Sequence, residues 1–151
     1  MARCDPILLA EDDEDYIIHI RRALVRTGLS NSLIVARNGK EVIEYLEGLA
    51  AHANRDFRQL PGVLLLDLKM PLLDGFDVLA WLRARPCLKE LPVVVLSCCG
   101  LEADLEKARR LGATECHLKP HPEDLPGLVS EVHDRLFAEA GAAKAALGSK
   151  P

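Results

Sequence analysis

Four short apolar runs, each closed by a polar residue, set the rhythm of the chain: Ile7 to Ala10, Leu33 to Ala36, Val63 to Leu66 and Val93 to Leu96. Short unbroken runs of this kind suit strands covered on both faces in a parallel sheet. A fifth strand is predicted at Thr114 to Leu118. Between the runs the spacing turns helical. Ile17, Ile20 and Leu24 follow an acidic cluster, with Gly28 as a fitting C-cap. Val42, Ile43, Leu46 and Leu49 share a face after the turn pair Asn38-Gly39. Phe76, Leu79 and Leu82 follow Asp74-Gly75 as the inward face of a helix that stops before Pro86. Leu105, Ala108 and Leu111 define a helix over about Glu102 to Leu111, ended by Gly112. The last main helix begins near Asp124 or Leu125, because Pro126 is tolerated only in a first turn, and presents Leu128, Val129, Val132 and Leu136. Residues 51–61 carry no periodic pattern and predict a surface loop, while from Ala138 the tail is Ala-rich, helix-capable and frayed.

Strand and helix alternate five times without an internal repeat or linker. That alternation predicts an α/β fold of the flavodoxin-like, doubly wound type: a five-stranded parallel sheet in the order 2-1-3-4-5 with five helices on its two faces. A length of 151 residues suits one domain, and 49% hydrophobic with 28% charged residues is a globular composition. The net charge of −4, without a long Lys/Arg cluster, argues against direct nucleic-acid binding. The cysteines, Cys4, Cys87, Cys98, Cys99 and Cys116, are odd in number and show neither C-x-x-C nor zinc spacing, so they read as ordinary thiols of a reducing compartment. No signal peptide opens the chain and no apolar run reaches membrane-spanning length, which predicts a cytoplasmic protein with no membrane contact.

The first and third strands both end in acid, and in the predicted order they are neighbours at the topological switch point. Glu11, Asp12 and Asp67 should therefore gather in space. Like charges that close repel unless a cation neutralises them. With only oxygen ligands on offer, the expected ion is hard and octahedral: Mg²⁺, with Mn²⁺ as the other ion of that type. The neighbouring Asp13, Glu14 and Asp15 are sufficiently explained by the preference of a helix N-terminus for negative charge. Ser97 ends the fourth strand and Lys119 the fifth, on the same rim. A hydroxyl and an ammonium converging on a metal-bound carboxylate make a place for a phosphoryl group. Asp67 is the natural nucleophile, since a carboxylate can accept phosphate as an aspartyl phosphate. Alone, Ser97 would be a strand-end cap and Lys119 a solvated charge; the joint pattern favours a site.

The stretches I-L-L-A-E-D-D at 7–13, L-L-L-D-L-K-M-P-L-L-D-G at 64–75, V-V-V-L-S at 93–97 and L-K-P at 118–120 resemble a response-regulator receiver domain over residues 5–138. The expected organisation is a receiver domain at 1–138 and a tail at 139–151 with no output domain. The resemblance implies that Asp67 takes phosphate from the phosphohistidine of a sensor histidine kinase. It implies Asp12, Asp67 and the backbone carbonyl of Lys69 as Mg²⁺ ligands, with Glu11 acting through water. Ser97 would swing toward the phosphoryl group and Lys119 would pair with it, next to a cis Lys119–Pro120 bond that proline tolerates. The long loop at 51–61 is most similar to that of single-domain regulators partnered with bacterial phytochrome kinases.

Three departures stand out. Receiver domains usually carry Tyr or Phe three residues before the lysine, where this chain has Cys116, so the usual aromatic switch is in doubt. Lys69 and Cys99 occupy the two positions that look onto the phosphoryl group in relatives. The expected protein is a phosphoacceptor switch with slow loss of its own phosphate, not a turnover enzyme. Its output would be read by a downstream protein on the face built from the fourth helix, fifth strand and fifth helix. The same face, with Val129, Val132 and Leu136 and the tail, suggests a homodimer. A receiver acting as a phosphorylation-independent scaffold is the alternative that Cys116 keeps open. An aspartyl-nucleophile phosphatase needs a second acid where Lys69 stands, and a flavodoxin needs a hydroxyl- and glycine-rich loop where Glu11 to Asp15 would repel phosphate. His117, beside Cys116, reads as satisfied or solvated, and Trp81 with Phe76 and Leu82 as packing.

Overall fold

The computed structural model describes residues 5–51, 60–98 and 101–148, with side chains described for all of these except 49–51 and 138–148. Strands β1 (Ile7–Ala10), β2 (Leu33–Ala36), β3 (Val63–Asp67), β4 (Val93–Ser97) and β5 (Glu115–Leu118) alternate with helices α1 (Glu14–Thr27), α2 (Gly39–Ala51), α3 (Gly75–Arg83), α4 (Glu102–Arg110) and α5 (Leu125–Gly148). The strands pair in parallel in the order β2-β1-β3-β4-β5, as the alternation predicts.

Every residue of β1, β3 and β4 is buried. The pleat divides them: Ile7, Leu9, Val63, Leu65, Val94 and Leu96 face α1 and α5, while Leu8, Leu64, Leu66, Val93 and Val95 face α2, α3 and α4. Both sides of the central strands are dry, which is why their sequence shows no alternation. Each fully buried Leu or Val contributes about 1.5–3 kcal/mol relative to exposure, so the sheet centre anchors the strand ends.

Local chemistry sets the helix limits. Asp13 caps α1 by accepting from the Asp15 N–H at 3.0 Å, and Gly28, at φ 73°, closes the helix in the left-handed conformation. Asp74 and Asp77 form a reciprocal capping box at the start of α3. Thr114 precedes β5 and clamps β4 instead: its N–H donates to the Val93 carbonyl at 2.8 Å, and its Oγ1 accepts from the Val93 N–H at 3.0 Å.

Several expectations need correction. Phe76 packs against the core but is only half-buried, at the margin of the fully buried stripe Gly75, Val78, Leu79 and Leu82. Its ring is covered by the Lys107 ammonium, 4.3 Å from the centroid. Ile43, Leu111 and Leu128 are likewise half-buried. Val129, Val132 and Leu136 point into the core against the sheet, together with Leu125 and Phe137, and so cannot form a dimer surface. The Lys119–Pro120 bond is trans, the form an X–Pro bond favours by about 0.5–1 kcal/mol when packing does not select cis. The backbone of α5 continues through Gly141 to Gly148. The loop expected at 51–61 falls mainly on 52–59, outside the described residues, as do Cys4, Cys99 and His52.

The β3–α3 connection is seated by close backbone approach. A Cβ on Gly75 would lie 2.7 Å from both the Asp67 carbonyl oxygen and the Leu68 Cα, and the Gly75 N–H donates to the Leu68 carbonyl at 2.9 Å. Gly75→Ala is therefore expected to lower the unfolding free energy by about 1–3 kcal/mol. Gly48, exposed within α2 with nothing within 4 Å of its added Cβ, should behave oppositely on substitution by Ala. A gain of about 0.5–1 kcal/mol is expected there. Urea titrations of both variants check the pair, and shifts of the same sign would contradict the assigned contacts.

Candidate functional site

The sheet delivers its polar residues at one end. The Glu11 N–H donates to the Ala36 carbonyl at 3.0 Å, continuing the β1–β2 ladder one residue past β1. Asp13 N–H donates to Glu11 Oε1 at 3.2 Å, and Asp13 then turns to cap α1. The acidic run thus divides: Glu11 is buried at the strand end, Asp12 is exposed beside it, and Asp13, Glu14 and Asp15 serve the helix start. Glu14 pairs with Arg37. Asp67, the last residue of β3, is buried, and its Oδ1 accepts from the Lys69 N–H at 3.2 Å. Carboxylate oxygens of Glu11, Asp12 and Asp67 all lie within 4.8 Å of one another.

Ser97 ends β4, is buried, and its carbonyl accepts from the Lys119 N–H at 2.8 Å. This bond carries the β4–β5 ladder past Leu118 and aims the lysine across the sheet edge. Its Nζ lies 2.7 Å from Glu11 Oε2 and 3.4 Å from Asp67 Oδ2. The predicted residues Glu11, Asp12, Asp67 and Lys119 are thereby in one place, with Ser97 on the adjoining strand end. Lys69 is exposed on the loop following Asp67.

Three carboxylates crowd around the Lys119 ammonium, so negative charge is in excess when all three are ionised. The strain shows on Glu11. Burial pushes its carboxyl up, the Lys119 hydrogen bond opposes this, the Asp67 charge adds to it, and the result is about 7. Burial would lower the Lys119 ammonium, but the Glu11 hydrogen bond and the charges of Asp67 and Glu11 outweigh it and the net direction is upward. Hard oxygen donors and an excess of negative charge fit a divalent cation, which the residues Glu11, Asp12 and Asp67 could hold.

Tyr16, absent from the motifs, also reaches this site. Its ring face lies 4.5 Å from Lys119 Nζ. The available signal was its place four residues before Ile20 on the inward stripe of α1. Cys116 donates its thiol to the Leu105 carbonyl at 3.8 Å against α4, and burial raises it, with Arg109 acting in the opposite direction. His117 is satisfied by Glu115 Oε1 at 3.2 Å, an atom that Arg135 Nη2 also reaches at 2.7 Å. Trp81 is half-buried, with the Arg85 guanidinium 3.9 Å above its ring, which fits the packing reading.

An open parallel sheet with an acidic cluster and a lysine at its switch point defines the class: a doubly wound α/β domain with an acidic rim that could hold a divalent cation. The chain belongs to the response regulator receiver domain family, whose profile it matches over residues 7–130. It is 34% identical over 129 residues to the probable methanogenesis regulatory protein FilR2 of Methanothrix harundinacea (strain 6Ac), covering 85% of this chain and 81% of that protein. Its structure is similar to that of the phosphorylated cyanobacterial phytochrome response regulator RcpA, with TM-score 0.77, 30% identity, and coverage of 89% and 95% of the two chains. The Mn²⁺-bound form of response regulator Rcp1 matches with TM-score 0.74 and 28% identity over 88% of this chain and 94% of that one. Among the described residues, no helix is long and apolar enough to cross a membrane.

Cation binding should stabilise the fold and depend on pH. Below about pH 7 Glu11 holds a proton that a cation must displace, so affinity should fall as pH drops and level off above that value. For one such proton, Mg²⁺ is expected to bind about tenfold more weakly at pH 6 than at pH 8. At a hundredfold excess over its dissociation constant the ion should add about 2.7 kcal/mol to stability, and Asp12→Ala should remove most of that gain. Calorimetric titrations at the two pH values check this; a flat affinity would contradict the protonation of Glu11.

Proposed function

We propose that this protein is a single-domain response regulator in which Asp67 accepts a phosphoryl group from the phosphohistidine of a sensor histidine kinase. The observation that carries the reading is the Lys119 ammonium, held between Glu11 and Asp67 beside the cluster of acid oxygens. An Asp67 carboxylate oxygen attacks phosphorus, the donor's P–N bond breaks, and the electron pair leaves with the imidazole, which takes up a proton. Lys119 offsets charge on the phosphoryl oxygens, and the Ser97 hydroxyl is a further donor to them. Asp12, Asp67 and the Lys69 carbonyl would hold Mg²⁺, with Glu11 acting through water, and the ion would supply charge neutralisation for the oxygens in transfer.

The acyl phosphate adds close to two negative charges and thereby biases the loops after β3, β4 and β5. The protein is a switch with slow loss of its own phosphate rather than a turnover enzyme. It acts in the cytoplasm. Similarity to RcpA, Rcp1 and the bacteriophytochrome response regulator AtBRR supports a phytochrome-type kinase as the donor. The receiver unit spans 1–138, with 139–151 as its tail.

The output surface in this reading is the α4–β5–α5 face. There the Glu115 ion pairs with His117 and Arg135 stand beside exposed Leu118. A downstream protein, or a second copy of the chain, docks on it. Sedimentation with and without beryllofluoride checks self-association, and a monomer in both states removes it.

Acetyl phosphate with Mg²⁺ is expected to add about 80 Da, one phosphoryl group, to the wild type and nothing to Asp67→Asn. Intact-protein mass spectrometry reads the result. An unmodified wild type, or a modified variant, would overturn the acceptor assignment.

A further inference from the structure

Tyr16 stands in the first turn of α1 and is buried, only 8% exposed. Through it the Lys119 ammonium has a third seat. Its contacts are Glu11 Oε2 at 2.7 Å, Asp67 Oδ2 at 3.4 Å and the Tyr16 ring centroid at 4.5 Å. The two carboxylates are the groups that the proposed chemistry engages, Asp67 as acceptor and Glu11 toward the cation. The ring has neither role. It belongs to the buried core between the sheet, α1 and α5, the same cluster that holds Leu9, Ile17 and Ile20. Burial, and after it the charges of Glu11 and Asp67, push the phenol upward, so the ring stays neutral in ordinary buffers. Its hydroxyl has no hydrogen-bond partner among the described residues. The face of the ring is therefore the part of this side chain that meets the ammonium.

Lysine is a flexible chain ending in a strongly hydrated point charge, and it stays in one place only where several contacts hold it. A ring face attracts a desolvated ammonium whatever the ionic state of neighbouring acids. We propose that Tyr16 is a positioning residue for phosphoryl acceptance: its ring keeps the Lys119 ammonium at the rim while Glu11 and Asp67 are engaged in their own roles. The proposal rests on Asp67 being the acceptor. It assigns a function to the ring and none to the hydroxyl.

The test compares Tyr16→Phe, Tyr16→Leu, Lys119→Met and the Leu/Met double variant in full-length protein. Rates of acetyl phosphate labelling with Mg²⁺ should fall about threefold to thirtyfold for Tyr16→Leu, the range a cation–π contact spans. Tyr16→Phe should stay within about twofold of wild type, because it keeps the ring. In the Lys119→Met background Tyr16→Leu should cost nothing further. Equal fractional losses in both backgrounds would identify mere packing and overturn the proposal, as would a Phe variant as slow as the Leu variant. A second readout is independent of labelling and of whether Tyr16→Leu folds. In wild type and in Tyr16→Phe, the Lys119 side-chain proton resonances should be moved upfield by the ring, with and without Mg²⁺. Resonances at free-lysine positions would sink the proposal even if labelling proceeds normally. A wild type that takes no phosphoryl group but keeps the upfield shift would instead defeat the acceptor reading and leave the seat of Lys119 established.

Discussion

Two carboxylates held out of water, Glu11 and Asp67, with one ammonium between them, are the constraint on which the site depends. Burying a charge is costly unless it is paired, and Lys119 pairs with both acids at once. The compensation is incomplete once Asp12 is counted, and the surplus of negative charge makes this rim a place that gains from a cation. A site balanced by a second lysine would be more stable by itself and would have less to gain from any ligand. Readiness for chemistry here takes the form of an electrostatic deficit.

That deficit can be sustained because the scaffold beneath it is dry and stiff. The central strands bury both faces, so the positions just past Ala10, Leu66 and Leu96 have little freedom to retreat from one another. The connecting loops are seated by contacts without slack. Gly75 lies against the Asp67 carbonyl, the Gly39 N–H donates to the Leu73 carbonyl at 3.1 Å, and Arg83 reaches from α3 to the Gly112 carbonyl at the end of α4. The edge strand β5 is the least buried part of the sheet, and it bears both Cys116 and the Glu115-centred ion pairs. Cys116 carries no ring, so β5 has no aromatic side chain at that position to displace.

Much of this was legible in the sequence, for identifiable reasons. Apolar runs without alternation can be satisfied only by strands covered on both sides, and with helical segments between them parallel pairing follows. The division of the acidic run was legible too, because Asp13 to Asp15 match the needs of a helix start while Glu11 and Asp12 do not. The errors came where a residue's neighbours lie far along the chain. Val129, Val132 and Leu136 read as an available surface, yet the sheet covers them. Tyr16 drew no reading at all, since nothing local to it reveals an ammonium contributed from residue 119.

The order of hydrophobic and polar residues thus determined the elements, the parallel sheet and the identity of the groups at its polar rim. Those properties follow from local periodicity and from the rule that adjacent crossovers keep one hand. The tertiary structure decided what those groups do to one another. Which acid is buried, which oxygen the ammonium prefers, how far Glu11 is driven from its ordinary ionisation and which ring supports the lysine all depend on distances of a few ångströms between residues more than fifty positions apart. Coulomb and desolvation energies change steeply over such distances, and no pattern along the chain encodes them.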